Sequence, residues 1–294
     1  MATLSVIIVS YNVADLLRDC LASVYASRDV DHEVWVVDNC SSDGSASMVR
    51  EEFSRTNLLE SSRNGGYAYA NNLALRHATG DYLLLLNPDT VIPPDALADM
   101  VGYMEARPQV GMVGPKLVRE DGSLDLACRR SFPSPVVAFY RMAGLSGRFP
   151  RSRRFGRYNL TYLDPDQEAE VDSVVGAFMM VRRKAVEQVG LLDENFFLYG
   201  EDLDWAMRIK KAGWQVMYNP RVSVLHRKAK SSGGDIRRAT TEFYRSMLIF
   251  YKKHYAADNL PPVNWFILGA IYLRGSLAYL LNRLLPPELR RVNY

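Results

Sequence analysis

Asn87-Pro88-Asp89 follows directly on an unbroken apolar run, residues 83–86, and this junction is where the chain first offers chemistry. Such a run reads as a strand buried on both faces, and the residues just past it stand at the carboxyl edge of a parallel sheet, where ligands bind. A carboxylate there, stiffened by the preceding proline, can hold a divalent cation against the phosphates of a nucleotide. A second acidic group lies in residues 196–205, where Glu201, Asp202 and Asp204 open a helix beside Phe196, Phe197, Tyr199 and Trp205. The helix dipole alone favours acids in a first turn. Three in four residues among aromatics also make a partly apolar carboxylate site, able to take the proton from an attacking hydroxyl.

Other strand ends carry weaker signals. Asp38, after Val36-Val37, can accept hydrogen bonds from a ribose or a base edge, whereas Ser41, Ser42 and Gly44 beyond it read as a turn. Arg63-Asn64-Gly65-Gly66-Tyr67 opens a helix carrying Asn71 and Asn72. The glycine pair would let backbone approach a ligand and Arg63 meet a phosphate, though a plain strand-to-helix turn needs the same glycines. His226 ends an apolar strand before Arg227, Lys228 and Lys230. It suits a structural role and a metal or phosphate ligand equally, and its basic neighbours suit a departing diphosphate or a solvated loop.

The elements that must hold these residues alternate. Strands over 4–9, 33–37, near 58 and over 81–86 are separated by helices over 13–26, from 45 and from 67, which predicts a parallel sheet with crossover helices. A helix over 94–106 and a strand over 110–118 follow. Residues 121–170, punctuated by Pro133, Pro135, Gly144, Gly147 and Pro150, read as loop and as the mobile part of the chain. Beyond them the pattern predicts a strand over 171–181 broken at Gly176-Ala177, a helix over 201–212, short strands over 216–218 and 222–225, and helices over 236–255 and 265–285.

With 294 residues, 48% of them hydrophobic, the chain can bury a core in one large domain or two fused halves. A net charge of +3 gives no reason to expect a nucleic-acid partner, but the charge is uneven: residues 129–157 hold eight arginines and no Asp or Glu. Cys20, Cys40 and Cys128 lack metal-ligand spacing and fit buried thiols in a reducing cytoplasm. The chain opens on a strand without a basic leader, so the protein is expected to stay where it is made. Arg274, Asn282 and Arg283 interrupt the apolar residues 265–285 too early for a membrane span, leaving a helix on a membrane surface or one packed on the core. No glycine triplet follows the first strand and no GxxxxGK loop occurs, which disfavours hydride transfer and ordinary nucleotide hydrolysis.

In order and spacing, SVIIVSYN from Ser5, VVDNCSSDGS from Val36, RNGGYAYANN from Arg63, LLLLNPD from Leu83, VVGAFMMVRR from Val174, FFLYGEDLDWAMR from Phe196 and VLHRKAKSS from Val224 resemble the family 2 glycosyltransferases, especially bacterial rhamnosyltransferase-like members. The resemblance covers about residues 5–232. It implies an α/β GT-A fold, a Rossmann-like, mostly parallel sheet flanked by helices, with a transferase domain over 1–232 and C-terminal helices over 233–294. The nucleotide-sugar half would span about 1–110 and the acceptor half about 111–232. The implied reaction is inverting transfer from a TDP- or UDP-sugar, with TDP-rhamnose favoured, to a glycan or lipid-linked glycan, with Mg²⁺ or Mn²⁺ bridging the diphosphate.

On that resemblance Asp89 closes a DxD-like metal motif in which Asn87 replaces the first acid, so the site carries one charge less. His226 is a further metal or diphosphate ligand, Asp38 contacts the nucleotide and Asp202 is the catalytic base. By position, Ser10, Tyr11, Asn12, Arg63, Gly66 and Asn71 belong with the donor, Gly176 and Ala177 lie near its sugar, and Glu201 and Trp205 stand on the acceptor side. The arginine-rich segment and terminal helix would meet anionic lipid or a lipid diphosphate at the cytoplasmic face of the inner membrane, or the helix would pair with a second copy. Two other functions compete: a sugar nucleotidyltransferase, which lacks support because the first strand has no glycine-rich, lysine-bearing loop, and a degenerate member that binds without turnover, against which Asp89, Asp202 and His226 stand.

Overall fold

The computed structural model describes residues 3–227, 236–285, 290 and 292. Lys228, Lys230 and the end of the VLHRKAKSS motif lie outside the described residues. The elements run β1 (Leu4–Ser10), α1 (Ala14–Tyr25), β2 (His32–Asp38), α2 (Ser45–Glu52), β3 (Asn57–Glu60), α3 (Tyr67–Leu75), β4 (Tyr82–Leu86), β5 (Thr90–Val91), α4 (Ala96–Glu105) and β6 (Val110–Val118). They continue through α5 (Pro135–Met142), α6 (Leu145–Arg148), β7 (Ala169–Glu170), β8 (Phe178–Arg182), α7 (Arg183–Val189), α8 (Glu201–Lys211), β9 (Gln215–His226), α9 (Ile236–His254) and α10 (Pro261–Leu284).

The strands form one sheet in the order β3-β2-β1-β4-β8-β6-β9-β5, with β7 beside β9. β3, β2, β1 and β4 are parallel, as their alternation with helices predicts. Every residue of β4 is buried, so helices cover both of its faces. β8 enters antiparallel between β4 and β6, and β6 and β9 are again parallel. The carboxyl ends of β1, β2, β4, β6 and β9 and the start of β8 therefore meet along one edge, and the reversal of strand order at β1, with β2 added on one side and β4 on the other, opens a crevice there. One buried core runs from Leu4 in β1 to Val224 in β9, so both expected halves share a single sheet.

Four local readings need correction. Residues 121–170 are not simply loop: Ser134 accepts from the backbone N–H of Val137 and Pro135 supplies a preset φ, which starts α5. The same segment buries Arg129 and Arg130. The strand expected over 171–181 begins only at Phe178, because residues 171–177 spend their backbone groups on other partners, described below. The two short strands over 216–225 are one, β9, with a register shift opposite Pro115 and Lys116 that accommodates Pro220, which has no N–H to give the ladder. Cys20 and Cys128 are buried thiols as expected, but Cys40 is exposed.

α9 and α10 form a hairpin against the sheet domain. Phe250 of α9 packs with Phe196, Leu203 and Met207, and Tyr244 of α9 packs with Ile271 and Ala278 of α10.

Candidate active site

The converging edge opens into a cavity of about 1370 Å³, lined on one side by Val9, Tyr11, Asn39, Gly66, Asn87 and Asp89 and on the other by Arg130, Gly176, Glu201, Asp202 and residues of α5, α9 and α10. Each side handles its polar groups differently.

On the sheet side, Asp89 stands just past β4. Its Oδ1 is buried with only His226 Nε2, 3.4 Å away, facing it. The other ring nitrogen, Nδ1, lies 2.9 Å from Asp125 Oδ2. Burial alone would lower the imidazole, but the hydrogen bond to Asp125 and the nearby Asp89 carboxylate push it up to about 9. Asp125, itself buried, is fixed by the backbone N–H of Ala127 on its second oxygen. The sequence reading missed Asp125, whose partner lies 101 residues away.

Next to this pair, the facing ends of β1 and β2 bring Ser10 beside Asp38. Ser10 Oγ and Asp38 Oδ1 are both buried without a hydrogen-bond partner among the described residues. They lie one residue from cavity-lining Val9, Tyr11 and Asn39. Desolvated polar atoms left open cost free energy unless something fills them, so this pocket is suited to a ligand's donors. Asp38 uses its Oδ2 on the Ser41 N–H, which makes the turn expected there.

The remaining donor-side residues divide. Asn12 is a latch: it adopts φ 55, its Oδ1 accepts from Ser42 N–H at 2.8 Å, and it ties the loop after β1 to that after β2. Asn71 donates to the Tyr67 carbonyl and is buried. Arg63 is exposed, stacked over Tyr69 at 5.1 Å, and does not line the cavity. Gly66 does line it, with φ 90, and a Cβ there would strike the Phe197 carbonyl oxygen at 2.4 Å, so only glycine lets the two loops close.

On the helical side, the 174–177 backbone serves the site. Gly176 donates its N–H to Asp202 Oδ2 at 3.2 Å, its carbonyl accepts from Tyr67 Oη at 2.8 Å, and the Ala177 carbonyl accepts from Asn87 N–H. Tyr199 and Gly200, with φ 70 and 85, turn the chain into α8 so that its first turn points Glu201 and Asp202 into the cavity. Asp202 Oδ2 accepts from Arg130 Nη2 at 2.6 Å, and the same guanidinium nitrogen donates to the Val174 carbonyl. Desolvation would pull Arg130 down, but the charge of Asp202 overcomes it and raises the group. Glu201 Oε2 has no hydrogen-bond partner among the described residues, and burial followed by the neighbouring Asp202 charge pushes its carboxyl up to about 8.

Asp204 turns away from the cavity, toward Arg208, Lys253 and His254. Trp205 is fully buried and donates to the Gly190 carbonyl, so the acceptor-side role expected for it gives way to core packing. Arg130 was visible only as one of many arginines, because its partner lies 72 residues on.

A divalent cation fits the Asp89–His226 pair by donor chemistry once it displaces the imidazole proton: one carboxylate oxygen without a hydrogen bond among the described residues and one imidazole nitrogen face each other at the cavity wall. Among the described residues no three His, Cys, Asp or Glu side chains form a cage, so most ligands of such an ion would come from phosphate and water.

A family model described as glycosyl transferase family 2 matches residues 5–190. The N-acetylglucosaminyl-diphospho-decaprenol L-rhamnosyltransferase of Mycobacterium tuberculosis H37Rv is 29% identical over 286 residues, covering 93% of this chain and 92% of the relative. Rhamnosyltransferase WbbL of Escherichia coli K12 is 25% identical over 232 residues, 75% of this chain and 82% of the relative. Among solved structures, the mannosyltransferase PcManGT from Pyrobaculum calidifontis, in complex with GDP-Man and Mn²⁺, superposes with a TM-score of 0.60 at 23% identity, covering 97% of this chain and 72% of that one. Staphylococcus aureus TarS 1-349 in complex with UDP gives 0.57 at 17% identity, with 97% and 76% covered. These two likenesses concern the fold.

Proposed function

The chain belongs to glycosyl transferase family 2 and is a glycosyltransferase, and we propose that it transfers a sugar with inversion from a nucleoside-diphosphate donor to a hydroxyl of a lipid-linked glycan. The observation that carries the reading is one cavity with Asp89 at its sheet side and the Glu201–Asp202 pair at its helical side, and with the buried Asp38 and Ser10 oxygens one residue behind its sheet-side lining. The nucleoside sits over the ends of β1 and β2, where Asp38 and Ser10 accept from and donate to ribose or base. Asp89 and His226 would hold Mg²⁺ or Mn²⁺, which would supply positive charge to offset that of the leaving diphosphate.

Asp202 takes the acceptor proton, oriented by Arg130 and Gly176 N–H. Glu201 is the second candidate for that task, favoured by its uncommitted Oε2 and its raised pKa. The M. tuberculosis relative's name supports a diphosphate-lipid acceptor and a rhamnosyl donor. Such an enzyme works in the cytoplasm, against the membrane that carries its acceptor.

Calorimetric titration with UDP, TDP and GDP, each with and without Mn²⁺, tests the donor side. Tight binding of one diphosphate only in the presence of metal is expected. Equal binding without metal would transfer the phosphate role to basic side chains, and no binding would favour a degenerate, non-catalytic member. Release of pyrophosphate from a nucleoside triphosphate would instead indicate nucleotidyl transfer.

A further inference from the structure

α10 is long and apolar enough to cross a membrane, yet little of it is buried. One stripe, Ile271, Ala278 and Asn282, packs on α9, where Asn282 donates to Thr240 Oγ1. On the opposite side Phe266, Leu273, Leu277, Leu280 and Leu284 recur at seven, four, three and four residues, one outer face, and are 49–78% exposed. α10 contains no acid, and Arg274 and Arg283 flank the apolar stripe.

A second apolar, basic surface lies across the cavity. Val136, Phe139 and Phe149 of the α5–α6 segment are exposed, and so are Arg148, Arg151, Arg153, Arg154 and Arg157. Phe139 and Phe266 are 58% and 78% exposed and both line the cavity, so they stand at its mouth, one on each rim.

We propose that the outer face of α10 and the α5–α6 segment together dock on an anionic phospholipid bilayer, with the cavity mouth between Phe139 and Phe266 turned toward it. The aromatic and aliphatic side chains enter the head-group boundary and the arginines meet lipid phosphates. Charge decides between a bilayer and a second copy: two copies meeting through this face would set arginine against arginine, with no acid in residues 129–157 or in α10 to offset them. Packing decides between lying on the membrane and crossing it. α10 is bound along its inner stripe to α9, whose Arg245 and Lys252 are exposed, so a span would need the hairpin to separate or charge to enter the bilayer. The arrangement would deliver a lipid-linked acceptor head-first while its tail stays in the bilayer, and in this it rests on the acceptor reading given above.

Flotation with vesicles of phosphatidylglycerol and phosphatidylcholine, read beside transfer to a short-chain, water-soluble acceptor, tests this. Wild-type protein should float with phosphatidylglycerol vesicles, much less with phosphatidylcholine alone, and less at high salt. Leu273→Glu with Leu277→Glu should abolish flotation. Arg151→Glu, Arg153→Glu and Arg154→Glu should each lower the partition coefficient about fivefold or more. All these positions are exposed, so far-ultraviolet circular dichroism should stay unchanged, as should transfer to the soluble acceptor. Wild-type protein that transfers sugar but fails to float would overturn the docking surface alone, as would variants that float like wild type. A dimer in solution that the leucine variants dissociate would assign the face to a second copy. Protein that floats without transferring sugar would leave the docking standing and remove the functional reading.

Discussion

The two walls of the cavity treat buried acids in opposite ways. At the sheet edge, Asp38 and Asp89 each keep one oxygen buried and without a hydrogen bond among the described residues, and Ser10 does the same with its hydroxyl. On the helical wall, Asp202 is held by Arg130 and, behind it, Asp204 by Arg208, Lys253 and His254, leaving Glu201 as the member whose Oε2 has no hydrogen-bond partner among the described residues. Open groups are a cost that only a ligand offsets, whereas paired groups hold the fold as found. The sheet wall is thus built to receive a donor. The helical wall stores its acids in ion pairs and is built to keep geometry.

The strongest test of that contrast falls on the helical wall. Asp202→Asn should lower the transfer rate by a factor of roughly 10²–10⁴ while leaving nucleoside-diphosphate affinity intact. Unchanged turnover would hand the base role to Glu201. The pH profile separates the two independently. With its carboxyl pushed up to about 8, Glu201 acting as base must lose its proton, and the rate would climb through pH 8. If its neutral form is the useful one, beside Asp202 as base, the rate would instead fall through the same range. Glu201→Gln should remove whichever limb is seen.

A smaller effect is expected one shell out on the sheet wall. Asp125 fixes His226 Nδ1, which leaves Nε2 pointing at Asp89. Asp125→Asn should weaken Mn²⁺ binding in the presence of the preferred nucleoside diphosphate by about 10–100-fold, read calorimetrically. Binding of the diphosphate without metal should not change. Loss of both together would mean that Asp125 merely supports the loop that ends at Ala127.

What was legible in the sequence follows the same division. Asp38 and Asp89 could be found because one ends a strand and the other stands three residues past one, and strand ends in a parallel sheet share an edge by topology. Their function required only local pattern. The partners Asp125 and Arg130 lie in a stretch read as loop, and their roles depend on contacts 101 and 72 residues away, which no periodicity encodes. Trp205 misled for the opposite reason: its i+4 spacing from Glu201 suggests a shared face, but its indole is fully buried and spends its N–H on the Gly190 carbonyl, a contact that spacing does not encode. The antiparallel β8 was hidden too, because a short apolar run shows burial without direction.

The smallest effects are in stability, and there the two walls should differ in sign. Asp204 is fully buried; burial would raise its carboxyl, but hydrogen bonds from His254 and Lys253 and the charge of Arg208 bring it down to about 2 from 3.8. A folded-state pKa below the unfolded one stabilises at pH values above 3.8 and is lost as pH falls through about 2, so the network contributes about 2 kcal/mol at neutral pH. Asp204→Asn should therefore lower urea stability by about that much at pH 7 and progressively less toward pH 2. Because Lys253 and His254 belong to α9, the loss should appear first as loosening of α9 from α8, seen as faster amide exchange at Phe250. Ser10→Ala removes a buried hydroxyl that has no hydrogen-bond partner among the described residues, so urea stability should hold or rise slightly while nucleoside-diphosphate affinity falls. Equal destabilisation by both substitutions would mean that the sheet wall is as fully satisfied as the helical one, and that its open oxygens are not reserved for a donor.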